Sequence, residues 1–164
     1  MILARLSIRR AAPGDETLVL QLIKELATYE KLAHEVDATE ALIAGALFAA
    51  APRAFCEIAT RNDEPVGFAL WFYSFSTFRG RHGIYLEDLF VRPAHRGSGA
   101  GLALLRELAR RCRDENLPRL EWSVLDWNTP ALGFYRRIGA EPREGWTTQR
   151  LDGEALARLA ARDP

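Results

Sequence analysis

The chain has two cysteines, three histidines, one methionine and no net charge, and these scarcities exclude several classes of function before any motif is read. Cys56 and Cys112 lack the number and spacing of a disulfide framework or a zinc site. Both fall in apolar-patterned segments, where buried, reduced thiols are expected. His34, His82 and His95 are scattered and show no metal-ligand spacing, so no metal site is expected. With 22 basic and 22 acidic side chains there is no excess of positive charge to hold a polyanion, and nucleic acid is not an expected partner. No apolar run approaches the length of a membrane span, and residues 1–5 lack the hydrophobic stretch of a signal peptide. The expected location is the cytoplasm. Lysine stands only at positions 24 and 31, the other basic residues being arginine; nothing functional follows from that bias.

What remains is ordinary globular composition, 48% hydrophobic and 27% charged over 164 residues, enough for one domain (1–164) with one core. Leu6 to Arg9 reads as a short opening strand, and Asp15 can cap the helix that follows. Leu18, Leu22, Ile23, Leu26 and Tyr29 recur at helical spacing and carry that helix to about Leu32. Asp37 and Glu40, at capping-box spacing, predict a second helix from Asp37, ended by Pro52. Phe55 to Thr60 and Val66 to Phe75 read as strands joined by a polar turn. The second is apolar almost throughout, which implies cover on both faces. Ile84 to Val91 is the next strand. A strongly amphipathic helix carries Leu104, Leu105, Leu108 and Cys112 on one side, with Arg106, Arg110, Arg111 and Arg113 on its solvated side. A strand from Leu120 to Leu125 follows, then a short helix capped by Asn128 and closed at Gly139. A strand through Thr147 to Arg150 and a terminal helix from about Gly153 complete the reading. The pattern predicts an α/β (α+β) fold around a mixed sheet.

Between the strand ending at Val91 and the amphipathic helix lies Arg96-Gly97-Ser98-Gly99-Ala100-Gly101. Glycines let the backbone approach an anion closely, and the free N–H groups and dipole of the following helix favour negative charge. The spacing excludes a P-loop, which needs Gly-Lys-Ser/Thr, and a dinucleotide fingerprint, whose third glycine would fall at Leu102. What is left is Arg-x-x-Gly-x-Gly entering a helix, either a phosphate cradle or a strand-to-helix loop without a ligand.

This turn resembles the diphosphate signature Gln/Arg-x-x-Gly-x-Gly/Ala of the GCN5-related N-acetyltransferase superfamily. Other segments resemble its diamine (spermidine/spermine) acetyltransferase branch: Leu26-Ala27-Thr28-Tyr29-Glu30, Tyr85-Leu86-Glu87-Asp88-Leu89-Phe90-Val91, Trp127-Asn128-Thr129-Pro130, Phe134 to Ala140, and Glu144-Gly145-Trp146. The resemblance implies a central sheet flanked by helices, whose two central parallel strands splay apart to admit acetyl-CoA. It implies that Leu89, Phe90 and Val91 pair with the pantetheine arm, and that Arg96, Gly97, Ser98, Gly99, Ala100, Gly101 and Leu102 hold the diphosphate. Asn128, Pro130 and Tyr135 would then line the cofactor. Asn128 serves equally as a helix cap.

Amine acetylation needs two proton transfers, one from the ammonium and one to the leaving sulfur. The resemblance assigns the first to Glu87 and the second to the phenol of Tyr135, which could otherwise simply pack beside Phe134. Adjacent Glu87 and Asp88 point to opposite faces of a regular strand, so both reach one site only across a bulge. Asp88 could also pair with an arginine. Glu30, Glu144, Tyr29 and Trp146 match positions around the acceptor, the aromatics as walls for a cation. Where the polyamine enzymes resemble Tyr-Asp-Pro-Trp, this chain has Ser76-Thr77-Phe78-Arg79, without the acid that would hold a distal ammonium. The expected acceptor is therefore a small amine with one cationic arm, lysine-like or thialysine-like, rather than spermine. A protein or peptide acceptor and a non-catalytic acyl-CoA-binding module are the alternatives. The resemblance also implies a homodimer.

Overall fold

The computed structural model describes residues 5–162, so the reading of residues 1–5 as lacking a signal stretch lies almost wholly outside the described residues. The chain divides into two compact units, 1–123 and 124–164. The first contains five strands, β1 (Leu6–Arg10), β2 (Phe55–Arg61), β3 (Glu64–Ser76), β4 (Arg81–Val91) and β5 (Leu120–Trp122), in the spatial order β1-β2-β3-β4-β5. Neighbours are antiparallel except β4 and β5, which are parallel. The sheet is therefore mixed.

Helices α1 (Glu16–Tyr29) and α2 (Glu40–Leu47) cover one face, and α3 (Ala100–Asp114) the other. The period-two alternation of the strands makes both covers necessary. Cys56, Ile58, Phe68 and Phe90 pack with Val19, Leu22, Leu26 and Ile43 of the first two helices. The intervening residues Ala59, Ala69 and Trp71 are also fully buried, as are Leu104 and Leu108 of α3. Each large apolar side chain so buried contributes about 1.5–3 kcal/mol.

Boundaries differ from the sequence reading where the backbone ends a helix. Lys31 adopts a left-handed φ of 62°, and the N–H groups of Lys31 and Leu32 return to the carbonyls of Thr28 and Ala27, so α1 stops at Tyr29 rather than near Leu32. Asp15 flanks α1 without capping it: its carboxylate accepts from the Ala12 N–H and pairs with Arg9. The cap of α2 is Thr39, whose hydroxyl accepts the Leu42 N–H at 3.3 Å, and the helix starts at Glu40, not Asp37. Arg111 is not on a solvated face, since its guanidinium lies 5.2 Å from the Trp71 ring and pairs with Glu115. Cys56 and Cys112 are free and buried, as expected.

In the second unit, α4 (Thr129–Arg137) begins at Asn128, whose side chain accepts the Ala131 N–H, and is followed by Gly139 at φ 87°. Helix α5 (Gly153–Ala160) closes the unit. The expected strand through Thr147–Arg150 does not form: the segment is exposed and without ladder partners among the described residues. Likewise β5 ends at Trp122, short of Leu125.

Candidate functional site

Strand β4 changes character halfway along. Its register with β3 pairs Leu86 with Trp71 but Asp88 with Leu70, leaving Glu87 as an extra residue in a β-bulge. On its other side β4 pairs with β5 only from Ile84 to Leu86. From Glu87 to Val91 its only strand partner among the described residues is therefore β3, and the two parallel strands have parted company. This is an open strand edge inside a sheet, with the backbone groups of Leu89 and Val91 along it and those of Phe90 turned toward β3. Gly67 permits the close β3–β4 approach behind that edge, because a Cβ there would sit 2.4 Å from the Phe90 carbonyl oxygen.

The strand feeds the glycine turn. Gly97 and Gly99 have φ of 77° and 88°, conformations that other residues rarely adopt, and nothing lies within 4 Å of where their Cβ atoms would be. Gly99 precedes α3 with no side-chain cap. The opening N–H groups of Ala100, Gly101 and Leu102 accordingly have no partner within the helix. The Ser98 hydroxyl is buried and also lacks a hydrogen-bond partner. Space, orphaned donors and helix dipole coincide at one turn, which fits an anionic group bearing several oxygens.

The bulge sets the carboxylates. Asp88 lies opposite Leu70 and alternates with Phe90, which places it on the α1 side of the sheet. Burial and the charges of Glu87 and Glu30 push its carboxyl up to about 6, and no cation offsets them. The alternative of an arginine partner for Asp88 is thus not realised among the described residues. Glu30, the residue that follows α1 as its C-cap, is also raised, by burial. Glu87 is exposed.

Tyr29 occupies a place that spacing alone did not reveal. The guanidinium of Arg96 lies 4.3 Å from its ring centroid and 5.9 Å from that of Phe90, while the Arg96 Nε donates to the Val91 carbonyl at 3.1 Å. The ring face read as a wall for an acceptor cation already carries one from the chain itself.

Phe72 and Tyr85 had no assigned role in the sequence, yet their rings stack with centroids 5.3 Å apart. Phe72 is two residues from Leu70 on β3, so the pair continues the sheet face that carries Asp88. Alternation along β3 was the available signal, and the bulge in β4 obscured it. Tyr85 also shares a 2.8 Å hydrogen bond with Ser123.

In the second unit Tyr135 is half-buried on α4, its ring tilted 48° to Phe134 with centroids 5.4 Å apart. Asn128 is buried, Pro130 stands in the first turn of α4, and Glu144 and Trp146 are exposed in the irregular segment after it. Among the described residues there is no cluster of side chains suited to a metal ion, and no helix is long and apolar enough to cross a membrane.

Comparisons with known proteins are concordant. The model of the acetyltransferase (GNAT) family matches residues 18–140. A thialysine N-epsilon-acetyltransferase of Bos taurus is 38% identical over 171 residues, spanning 98% of this chain and 100% of the relative. An L-ornithine N5-acetyltransferase of Arabidopsis thaliana is 29% identical, spanning 93% of this chain and 86% of its own length. Among solved structures, an integron cassette protein from the mobile metagenome of V. cholerae superposes with a TM-score of 0.79 at 28% identity, covering 96% of this chain and 98% of that one.

Proposed function

The chain belongs to the acetyltransferase (GNAT) family, and from that premise we propose that it moves an acetyl group from acetyl-CoA to the primary amine of a small molecule with one cationic arm, such as thialysine, lysine or ornithine. The observation that carries the reading is the parting of β4 from β5 at the Glu87 bulge, immediately ahead of the glycine turn. Family and relatives make the chain an N-acetyltransferase acting on a small amine. The identity of the amine and the roles of individual residues are our assignment. We read both units as parts of one catalytic domain, because the family match runs across their boundary.

The residues present fit the cofactor. The N–H groups of Ala100 to Leu102 and the unpartnered Ser98 hydroxyl would hold the diphosphate oxygens, and the open edge at Leu89 and the Val91 N–H would pair with the amides of the pantetheine arm, the Val91 carbonyl being held by Arg96 Nε. Bound acetyl-CoA supplies an activated acyl carbon and a thiolate leaving group. The Leu89 N–H is assigned to the thioester carbonyl oxygen, where a fixed donor is worth most as negative charge develops.

Glu87 and Asp88 take up the proton that the acceptor ammonium must lose before its nitrogen can attack. Asp88, with its affinity for a proton raised toward neutrality, is the better matched of the two to an amine at physiological pH. Glu30 adds negative charge that retains the cation. Tyr135 is assigned, from the resemblance of Phe134 to Ala140, to donate its phenolic proton to the departing sulfur. Asn128 and Pro130 are assigned to the cofactor on the same ground, Glu144 and Trp146 to the acceptor. Exposed Arg79 in the β3–β4 turn disfavours a second distal ammonium. Two free cysteines are compatible with a cytoplasmic enzyme, and the family resemblance supports a homodimer.

A thiol-release assay with acetyl-CoA against thialysine, lysine, ornithine, putrescine, spermidine, spermine and lysine peptides tests the reading. Thialysine or ornithine should exceed spermine by at least about tenfold in kcat/KM, and Tyr135→Phe should lower kcat by about 10²-fold with that acceptor. A clear preference for spermine or for peptides overturns the acceptor assignment. An unchanged rate in the phenylalanine variant removes Tyr135 from the chemistry.

A further inference from the structure

The sheet face that carries Asp88 ends in a cation to which acetyl transfer has so far given no role. Strand β5 runs beside β4 with Glu121 level with Tyr85, and Arg119, whose carbonyl accepts the Ile84 N–H at 3.0 Å, lies beside Gly83. Gly83 in turn pairs with Ser74 of β3. Alternation sets Ser74, Gly83 and Arg119 on the face of Phe72, Tyr85 and Asp88. The glycine makes room for its two neighbours, since a Cβ there would sit 2.9 Å from the Arg119 Cγ and 3.1 Å from the Ser74 Oγ. The Ser74 hydroxyl is buried and has no hydrogen-bond partner. Neither has the Arg119 Nε, which lies 2.7 Å from a Glu121 carboxylate oxygen in a geometry that leaves the hydrogen bond unmade. The Arg119 side chain is still 39% exposed, and a guanidinium carries donors enough for a second carboxylate. Between this cation and Asp88 lies the Tyr85 ring, stacked on Phe72 and sharing a hydrogen bond with Ser123. Phe72 and Leu70, which face Tyr85 and Asp88 across the ladder, are two residues apart, about 7 Å along the strand.

We infer that Arg119, with the Ser74 hydroxyl beside it, is a subsite for the α-carboxylate of an amino-acid acceptor, whose arm lies along the Phe72–Tyr85 stack with its reacting nitrogen at Asp88. The inference rests on the acetyl-transfer reading and deepens it, by selecting amino acids of the lysine and ornithine type over diamines of the same length. The pairing with Glu121 directs the guanidinium along the sheet toward Asp88 rather than toward the β3–β4 turn. The interval from there to Asp88 suits the extended arm of a lysine-like molecule. A distal carboxylate gains charge-assisted hydrogen bonds at Arg119, whereas a distal ammonium meets a like charge. One side chain thereby acts in both directions, attracting one class of acceptor and repelling the other.

Acceptor pairs that differ only in the carboxylate test this: thialysine against its decarboxylated diamine, and ornithine against putrescine, each with the wild type, Arg119→Gln, Arg119→Lys and Ser74→Ala. The wild type should favour the amino acid of each pair by at least about tenfold in kcat/KM. Arg119→Gln should lower kcat/KM for thialysine by about tenfold, through KM, and raise it for the diamine by about two- to threefold. A fold defect would move both acceptors the same way, so opposite signs identify the subsite. Arg119→Lys, which keeps the charge but not the planar fork, should recover part of the preference. Ser74→Ala should narrow it by about two- to threefold. The acetyl-CoA Kd, measured by calorimetry, should not move in any of them. A wild type indifferent to the carboxylate, equal losses for both members of a pair, or an amino-acid preference that survives Arg119→Gln would overturn the inference. A wild type that binds no acetyl-CoA, or acetylates none of these amines, would instead overturn the underlying acetyl-transfer reading.

Discussion

At the scale of single residues, Asp88 ties proton chemistry to stability. Its carboxyl is raised from an ordinary value near 3.8 to about 6, so the folded protein holds that proton more tightly than the unfolded chain does. The associated stability is fully present below the unfolded value and is lost as pH rises through about 6, the reverse of a salt-bridged carboxylate. At roughly 1.4 kcal/mol per unit, ionising Asp88 in place costs on the order of 2–3 kcal/mol. Asp88→Asn should flatten the fall in unfolding free energy between pH 4 and pH 7, which urea titrations at several pH values would read. The same variant should remove an acidic limb near pH 6 from the kcat/KM profile. Adjacent Glu87 and Asp88 were legible as candidates from residue type alone. Which of them faces the α1 side was not, because that depends on where the ladder slips.

The slip belongs to the scale of elements. In an unbroken β4, period-two alternation would set Glu87 and Asp88 on opposite faces, and the parallel neighbour could follow the strand to Val91. The bulge shifts the register after Leu86 and coincides with the end of the β5 pairing. Gly67 sits across from Val91 in the part of the ladder that remains. Gly67→Ala would drive a methyl group into the Phe90 carbonyl and force β3 and β4 apart. The expected result is a loss of about 2–4 kcal/mol of stability by denaturant unfolding, together with weakened acetyl-CoA binding, since the open edge is displaced. Helix positions were largely legible because apolar spacing fixes them. Their ends were not: α1 stops where Lys31 turns left-handed, and α2 starts from the Thr39 hydroxyl rather than from the Asp37–Glu40 pair. A backbone conformation decided the first of these ends and a side-chain hydrogen bond the second.

For the whole molecule, 22 basic and 22 acidic side chains cancel, so no long-range field draws a cation from afar. Attraction for a cationic acceptor must come from Glu30, Glu87 and Asp88 at short range. The screening length falls from roughly 10 Å at 0.1 M salt to 3 Å at 1 M. The kcat/KM for thialysine should accordingly fall by only about two- to fourfold between 50 and 500 mM salt, chiefly through KM. A drop of a hundredfold would indicate a field that the charge balance does not supply, and a flat profile would show that the carboxylates do not attract the acceptor.

The sequence by itself determined the alternation of strands and helices, the apolar faces that sandwich the sheet, and the glycine turn, because these follow from periodicity and from the conformations that Gly97 and Gly99 alone admit readily. Tertiary structure decided the rest. The bulge at Glu87, the open edge at Leu89 and Val91, the stack of Phe72 on Tyr85 and the stack of Arg96 on Tyr29 all arise from contacts between separate segments of the chain. No local pattern encodes them: register and cation stacking are settled only when both partners are in place.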